Sequence, residues 1–451
     1  MKVVKFGGSS LANGEQFDKV INIVTSDDDR KVIVTSAPGK RFDGDIKVTD
    51  LLIKYANLVL ENKDYQDVYN KIVDRYQEIS NYYKLSSDTI DKIKAKLTDL
   101  ATSNYKDDEH LMAAFKAHGE FLNAITLADV LNSKGIKAKF LDPKEIGFLV
   151  GGEPNNADVL PETYANLAKI KFDDSKIVFP GFFGYSKDGD IFTFSRGGSD
   201  ITGAILSRGF NADLYENFTD VDAIYVANNH IVKNPEAIKK MSYREMRELS
   251  YAGFSVFQDE AIIPAVEGQV PVNVKNTNDP QKPGTLIVPS QFLFNPANPI
   301  TGIASSDRFS ALYIHRYLLN KEVGFTLKLL QIFYKYGISY EHMPSGIDDL
   351  TVIFDKSKLD SETIKNLCND VKKALNPDYI EWIDDYAIIM VVGEGLAHTV
   401  DTVSKIIDSL TEKNIAIDMI NQGASRISIM IGTQVKDAKD AVRDIYDTFF
   451  N

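Results

Sequence analysis

Two short segments carry residue types that could hold a phosphate. In the first, Lys5-Phe6-Gly7-Gly8-Ser9-Ser10 follows the apolar pair Val3-Val4, so a strand runs into a two-glycine turn bearing a lysine and two hydroxyls. Adjacent glycines let backbone N–H groups approach an anion with no Cβ in the way, and the lysine supplies compensating charge. Taken alone, the motif fits equally well a strand that ends in a glycine turn with a solvated lysine. The second segment is Phe194-Ser195-Arg196-Gly197-Gly198-Ser199-Asp200. Here Ser199 is placed to cap a helix beginning at Asp200, whose charge suits the first turn. Capping accounts for Ser199 and Asp200 but not for an arginine beside two glycines, since guanidinium clamps carboxylates and phosphates through two parallel hydrogen bonds. The two turns together point to a site more strongly than either does by itself.

Something must bring those turns to one place. Strands are expected at Lys2–Phe6, Lys31–Thr35, Ala138–Leu141, Ile177–Phe179, Ile191–Phe194 and Ala212–Glu216, with helical patterns between them. That alternation reads as an α/β fold with an open, mainly parallel sheet sandwiched by helices, whose phosphate ligands bind at the carboxyl ends of the strands. Residues 55–118 are charged, glycine-free and helical in period, an insertion that either shapes the site or is a solvated support. Prolines at 280, 283, 289, 296 and 299 mark a boundary, so a first domain of 1–290 is expected.

The last third repeats itself. Tyr334–Phe354 matches Thr411–Ile431 without a gap, each copy reading as an amphipathic helix, a strand, a turn with a glycine (Gly346, Gly423) and another strand. Two small α+β modules, 291–375 and 376–451, are expected to pair their sheets. The duplication serves dimerisation alone, or it forms a ligand site between modules; the pattern leaves both open.

Composition narrows the function. In 451 residues, 51 basic against 64 acidic side chains give a net charge of −13, which argues against nucleic acid or an anionic membrane as the partner. One cysteine, Cys368, excludes an intrachain disulfide, and six scattered histidines argue against a structural metal site. Cys368 reads as a half-buried thiol on a helix. No apolar run approaches membrane-spanning length and the start resembles no signal peptide, so a soluble, cytoplasmic protein is expected. Ser242-Tyr243-Arg244-Glu245 carries a capping-box pattern and is read as structural.

In order along the chain, these and further motifs resemble the aspartate kinases of the amino-acid-kinase superfamily. The family's amino-terminal K-F-G-G-(T/S)-S is similar to Lys5–Ser10, its V-S-A-x-G to Thr35–Gly39, its threonine segment to Lys47–Leu52 and its G-E pair before a helix to Gly119-Glu120. Its R-G-G-S-D is similar to Arg196–Asp200 and its T-D-V-x-x-(I/V)-Y to Thr219–Tyr225, while the repeats resemble paired ACT domains, with Ile420–Ser425 close to I-S-Q-G-S-S.

The resemblance implies ATP-dependent phosphorylation of the L-aspartate side-chain carboxylate, an early step toward lysine, threonine and methionine. It implies Lys5 and Asp200 as catalytic residues, with Lys5 on the transferred phosphoryl oxygens. Gly7, Gly8 and Ser9 would line the phosphates, and Thr219, Asp220 and Tyr225 the adenine and ribose. Thr49, Glu120, Arg196 and Ser199 would hold aspartate, Glu120 taking its α-ammonium. Read without the resemblance, Glu120 is a helix-surface acid and Thr49 a helix cap. Mg²⁺ would ride on the nucleotide, with no metal site built from protein side chains alone. The repeats imply regulation by an amino acid, lysine first and threonine second, at Ser339, Glu341, Asn421 and Gln422, in a homodimer or higher oligomer.

Departures mark this chain. Asn228-Asn229-His230 replaces the family's D-P-R, and Ser255 stands where a phosphate-facing lysine is usual. Either another basic residue such as Lys40, Arg41 or Lys233 compensates, which is the preferred reading, or nucleotide affinity is weak or altered in specificity, or catalysis is impaired. A catalytically silent amino-acid sensor, or an enzyme of the same fold acting on another substrate, is the alternative.

Overall fold

The computed structural model describes residues 1–195, 197–254, 261–293 and 298–451, so Arg196 and Ser255 lie outside the described residues. The chain divides into two compact units. The first comprises Met1–Ile224, Ala237–Tyr243 and Ser255–Leu293; the second comprises Tyr225–Glu236, Arg244–Phe254 and Phe294–Asn451.

The first unit opens with β1 (Lys2–Phe6), α1 (Gly14–Thr25) and β2 (Arg30–Thr35), then four helices, α2 (Val48–Leu60), α3 (Gln66–Tyr83), α4 (Ser87–Thr102) and α5 (Asp108–Ser133). It continues through β3 (Ala138–Phe140), the hairpin β4 (Val150–Glu153) and β5 (Asn156–Val159), α6 (Pro161–Leu167) and β6 (Lys176–Pro180). The hairpin β7 (Phe183–Tyr185) and β8 (Ile191–Thr193) leads to α7 (Gly198–Gly209), β9 (Leu214–Thr219) and β10 (Lys240–Ser242). After α8 (Tyr243–Tyr251) come α9 (Ile263–Glu267), β11 (Val272–Asn276) and β12 (Thr285–Val288).

Eight of these strands form one sheet in the order β10-β12-β11-β9-β1-β2-β6-β3, parallel except where β11 meets β12. Strands buried on both faces read as continuous apolar runs, and Val3, Val4, Phe6, Val32, Ile33 and Val34 are all buried. A bidentate ion pair, Arg30 Nε to Glu216 Oε2 at 2.6 Å and Nη2 to Oε1 at 2.9 Å, lies inside the unit.

Two strand expectations need correcting. Ile191–Phe194 does not join the sheet: β8 pairs only with β7, folding back through the tight turn in which Ser186 donates to Asp190. The strand expected at Ala212–Glu216 runs instead over Leu214–Thr219, which brings Asn217 into register beside Lys5.

In the helical region, Tyr55, Tyr76, Ile93, Leu97 and Phe115 form a core of their own. The pair Gly119-Glu120, expected before a helix, lies inside α5. A Cβ at Gly119 would stand 2.7 Å from the Ala37 Cβ, so glycine here lets α5 approach the loop after β2.

The second unit contains β13 (Gly302–His315), α10 (Phe325–Lys335), β14 (Asp349–Asp355), α11 (Ser361–Leu375) and β15 (Tyr379–Val392). It ends with α12 (Thr402–Glu412), β16 (Met419–Asn421), β17 (Ser428–Thr433) and α13 (Ala438–Phe450). Its antiparallel sheet runs β14-β13-β15-β17-β16, with the long strands β13 and β15 joining the two repeats. The second repeat has the expected helix, strand, turn and strand. In the first, the strand before Gly346 shrinks to the bridges His342 to Ile353 and Ser345 to Leu350, because Pro344 has no N–H to give a ladder. Cys368 is half-buried on α11, and burial pushes its thiol pKa up. Among the described residues, no helix is long and apolar enough to cross a membrane.

Candidate functional site

The turn after β1 is built by close backbone contact. Gly39 N–H donates to the Gly8 carbonyl at 2.8 Å; a Cβ on Gly8 would sit 2.9 Å from the Ala37 oxygen, and one on Gly39 2.6 Å from the Gly8 carbonyl carbon. Only glycine at both positions lets the loops cross. Gly8–Leu11 then forms a single 3₁₀ turn, with Ser9 exposed and the buried Ser10 hydroxyl 2.7 Å from that of Thr277. The Gly7 N–H, expected to face phosphate, instead donates to the Phe218 carbonyl at 3.1 Å, continuing the pairing of β1 with β9. The N–H groups of Gly8 and Ser9 stand in the first helical turn, where no intrahelical acceptor exists.

Lys5 emerges from β1 into a salt bridge, its Nζ 2.6 Å from Asp200 Oδ1, with both side chains largely buried. Asn217 on β9 donates to the same carboxylate oxygen at 2.7 Å, and the Tyr215 hydroxyl donates to the Asp200 carbonyl at 3.2 Å. Asp200 is held there in the first turn of α7, which begins at Gly198. The expected cap, Ser199, is not the cap. Gly197 occupies that position with φ of +78°, a left-handed conformation that glycine adopts without strain. Freed from capping, the buried Ser199 side chain lies beside Glu120 and favours its charged form.

Glu120 is not the helix-surface acid that its charge would imply. It is buried, and its Oε2 has no hydrogen-bond partner among the described residues. Burial drives its pKa up to about 8; hydrogen bonds from the backbone, the charge of Lys5 and the Ser199 side chain oppose the rise without cancelling it. A buried acid with an open oxygen is a receptor for a cation. Thr49 is half-buried in the first turn of α2, whose cap is Lys47, so it is not a cap either.

Thr219 ends β9 and its hydroxyl donates to Asp220 at 3.2 Å. Tyr225 belongs to the second unit, where it lines a cavity of about 430 Å³ with His230 and Lys233. Of the cations expected to compensate, Arg41 is already committed: it binds Asp45 at 2.9 Å and Glu78 at 2.6 Å. Lys40 is exposed.

Two residues escaped the sequence reading. Asn217 lies in a strand whose apolar neighbours hide it. Arg75 reads as one more charge on a helix, yet it is buried, donating to the Gly39 carbonyl at 2.5 Å, the Ile46 carbonyl at 3.0 Å and Asp45 at 3.0 Å.

In the second unit Ser339, Asn421 and Gln422 are exposed. The carboxylate of Glu341 accepts a hydrogen bond from the Tyr251 hydroxyl, and Arg308 donates to the Tyr251 carbonyl at 2.9 Å with its guanidinium 5.5 Å from the Tyr251 ring centre. His342 Nε2 and the Ser250 hydroxyl are buried there without a partner among the described residues.

Comparison with known proteins gives matches over the whole chain. Residues 1–276 match the amino acid kinase family and residues 389–449 match the ACT domain. Aspartokinase 3 of Bacillus subtilis is 48% identical over 450 residues, covering 100% of this chain and 99% of that protein. The crystal structure of Clostridium acetobutylicum aspartate kinase superposes with a TM-score of 0.88 at 39% identity, covering 100% of both chains. Escherichia coli aspartokinase III in complex with aspartate and ADP shares the fold, with a TM-score of 0.74 at 22% identity over 100% of both chains.

Proposed function

The chain belongs to the amino acid kinase family and, within it, to the aspartokinases, and from that premise we propose how its residues move the γ-phosphoryl group of ATP to the side-chain carboxylate of L-aspartate, giving 4-phospho-L-aspartate and ADP. The observation that carries the assignment of roles is the Lys5–Asp200 pair at 2.6 Å, within electrostatic reach of a buried glutamate whose Oε2 is unpaired among the described residues.

The acceptor carboxylate, with a pKa near ~4, is ionised at neutral pH and needs no general base. What the site must supply is positioning of two anions and stabilisation of charge on the transferred group. Lys5 does the second. Asp200 and Asn217 fix its ammonium, and the N–H groups of Gly8 and Ser9 face the phosphates; Gly7 acts by its small size alone. Glu120, oriented by Ser199, takes the α-ammonium of aspartate on its open oxygen. Thr49 adds a hydroxyl, and Arg196 holds an aspartate carboxylate. Thr219, Asp220 and Tyr225 contact the nucleoside.

Mg²⁺ fits the donor set: the second oxygen of Asp200 carries no hydrogen bond among the described residues, and it is the hard ligand such an ion or its waters take. Bound with ATP, such an ion would supply charge neutralisation to the phosphates. The ACT repeats bind an amino-acid effector, lysine first and threonine second, through Ser339, Glu341, Asn421 and Gln422, in a cytoplasmic homodimer or higher oligomer.

A hydroxamate assay for acyl phosphate with ATP, Mg²⁺ and a panel of amino acids tests the reading. Aspartate alone should give product. No hydroxamate from aspartate under any condition would leave only a sensor that cannot transfer phosphate.

A further inference from the structure

A cavity of about 400 Å³ opens in the first unit between α4, the start of α5 and the β7–β8 hairpin, among residues that the phosphoryl-transfer scheme does not use. That volume lies in the range of small-molecule sites, about 300–1,000 Å³. His118 lines it, buried on α5. Its Nδ1 is 2.8 Å from the Ala114 carbonyl, which fixes the proton on that nitrogen and leaves Nε2 as a bare acceptor with no hydrogen bond among the described residues. Burial holds the imidazole pKa down at about 4, so the ring is neutral at physiological pH. Lys96 also lines the cavity, its ammonium 5.4 Å from the Phe121 ring centre and with no carboxylate partner among the described residues. Asp99 adds a nearby negative charge, and both Lys96 and Asp99 act electrostatically on His118. Leu100 supplies apolar wall, and the rings of Phe121 and Tyr185 add aromatic wall, each with a lysine ammonium beside it, Lys96 at 5.4 Å and Lys144 at 5.6 Å from the ring centre.

An acceptor nitrogen and a carboxylate beside an unpaired ammonium, with aromatic wall beyond, match the two ends and the side chain of one molecule class. We propose that this cavity is a second amino-acid site, taking a free α-amino acid with an apolar side chain: its carboxylate on Lys96, its ammonium donating to His118 Nε2 beside Asp99, and its side chain against Phe121 and Tyr185. The site is distinct from both the Glu120 pocket and the ACT repeats.

Calorimetric titration of the full chain with L-leucine, L-methionine and L-phenylalanine tests it, with 3-methylbutylamine and 4-methylpentanoate as the two halves of leucine. At least one amino acid should bind and neither half should. Affinity should fall by about tenfold or more in Lys96→Gln and in His118→Phe, and stay unchanged in Asn421→Ala/Gln422→Ala. Lys96 is exposed, so Lys96→Gln keeps the test valid if His118→Phe fails to fold. No binding by any of the three, equal binding by either half-molecule, binding indifferent to Lys96→Gln, or binding lost with the Asn421/Gln422 variant would each overturn the assignment.

Discussion

At the scale of the residue, the site is two linked charge problems. One oxygen of Asp200 accepts from both Asn217 and the Lys5 ammonium, so the ammonium waits in a fixed place rather than sweeping through solvent. Fixed charge costs little reorganisation when the phosphoryl group arrives. Lys5→Ala should therefore lower kcat by about 10²–10³-fold or more, while circular dichroism of the variant stays that of the parent. Normal turnover would remove Lys5 from the reaction. Glu120 poses the second problem, because its pKa of about 8 lies above the ordinary 4.5. A raised folded-state pKa contributes stability that is fully present below the ordinary value and is lost as pH rises to about 8. The ligand-free protein should thus lose stability through that window, and Glu120→Gln should flatten the loss. Binding runs the other way: the aspartate ammonium needs the ionised acid, so affinity should rise with pH up to about 8, with a proton released on binding. Titrations in buffers of different ionisation enthalpy measure that proton. An affinity for aspartate that is flat through this range would take Glu120 out of ammonium recognition.

At the scale of the element, the helical region is more than a cover. Arg75 on α3 reaches the Gly39 carbonyl and Asp45, clamping the loop that crosses the phosphate turn. Arg75→Met leaves Asp45 with one partner fewer in a buried setting, and should cost about 3–5 kcal/mol in urea unfolding. It should also raise the KM for ATP, whereas Lys71, which forms an exposed i,i+4 ion pair with Asp67 on the same helix, changed to alanine, should move stability by no more than about 0.5 kcal/mol. Equal effects would show that α3 only packs. Arg75 also shows why elements were easier to read than their contacts. The parallel sheet, the glycine turns and the repeated module announce themselves through periodicity and through glycines that no other residue could replace. The pairing of β8 with β7 depends on which edge is free, and the capping of α7 by Gly197 on a φ angle; neither is written in residue type. Asn217 and Arg75 are polar residues in segments whose neighbours set the pattern, so their burial emerges only from tertiary packing.

At the scale of the whole molecule, the chain does not pass once from catalysis to regulation. Residues 225–236 and 244–254 group with the second unit although residues before and between them belong to the first, so all but the first residue of α8 is held by the regulatory fold. The hold on α8 includes the Tyr251 hydroxyl on Glu341 and Arg308 on the Tyr251 carbonyl. If an effector's ammonium uses Glu341, it competes with the tyrosine for that carboxylate. Tyr251→Phe removes that competitor, and lysine should then inhibit at a concentration lower by about 2–10-fold, the worth of one net hydrogen bond. Glu341→Gln should weaken inhibition instead, since the amide keeps the shape but loses the charge. An effector shifts an equilibrium only by its difference in affinity for the two states, so lysine must also bind the parent chain differently with and without aspartate and nucleotide. Inhibition curves for the two variants, set beside lysine titrations in both conditions, decide the matter. If Tyr251→Phe left the curve where it was and lysine bound equally with and without substrates, Glu341 and α8 would be structural neighbours and control would lie elsewhere in the repeats.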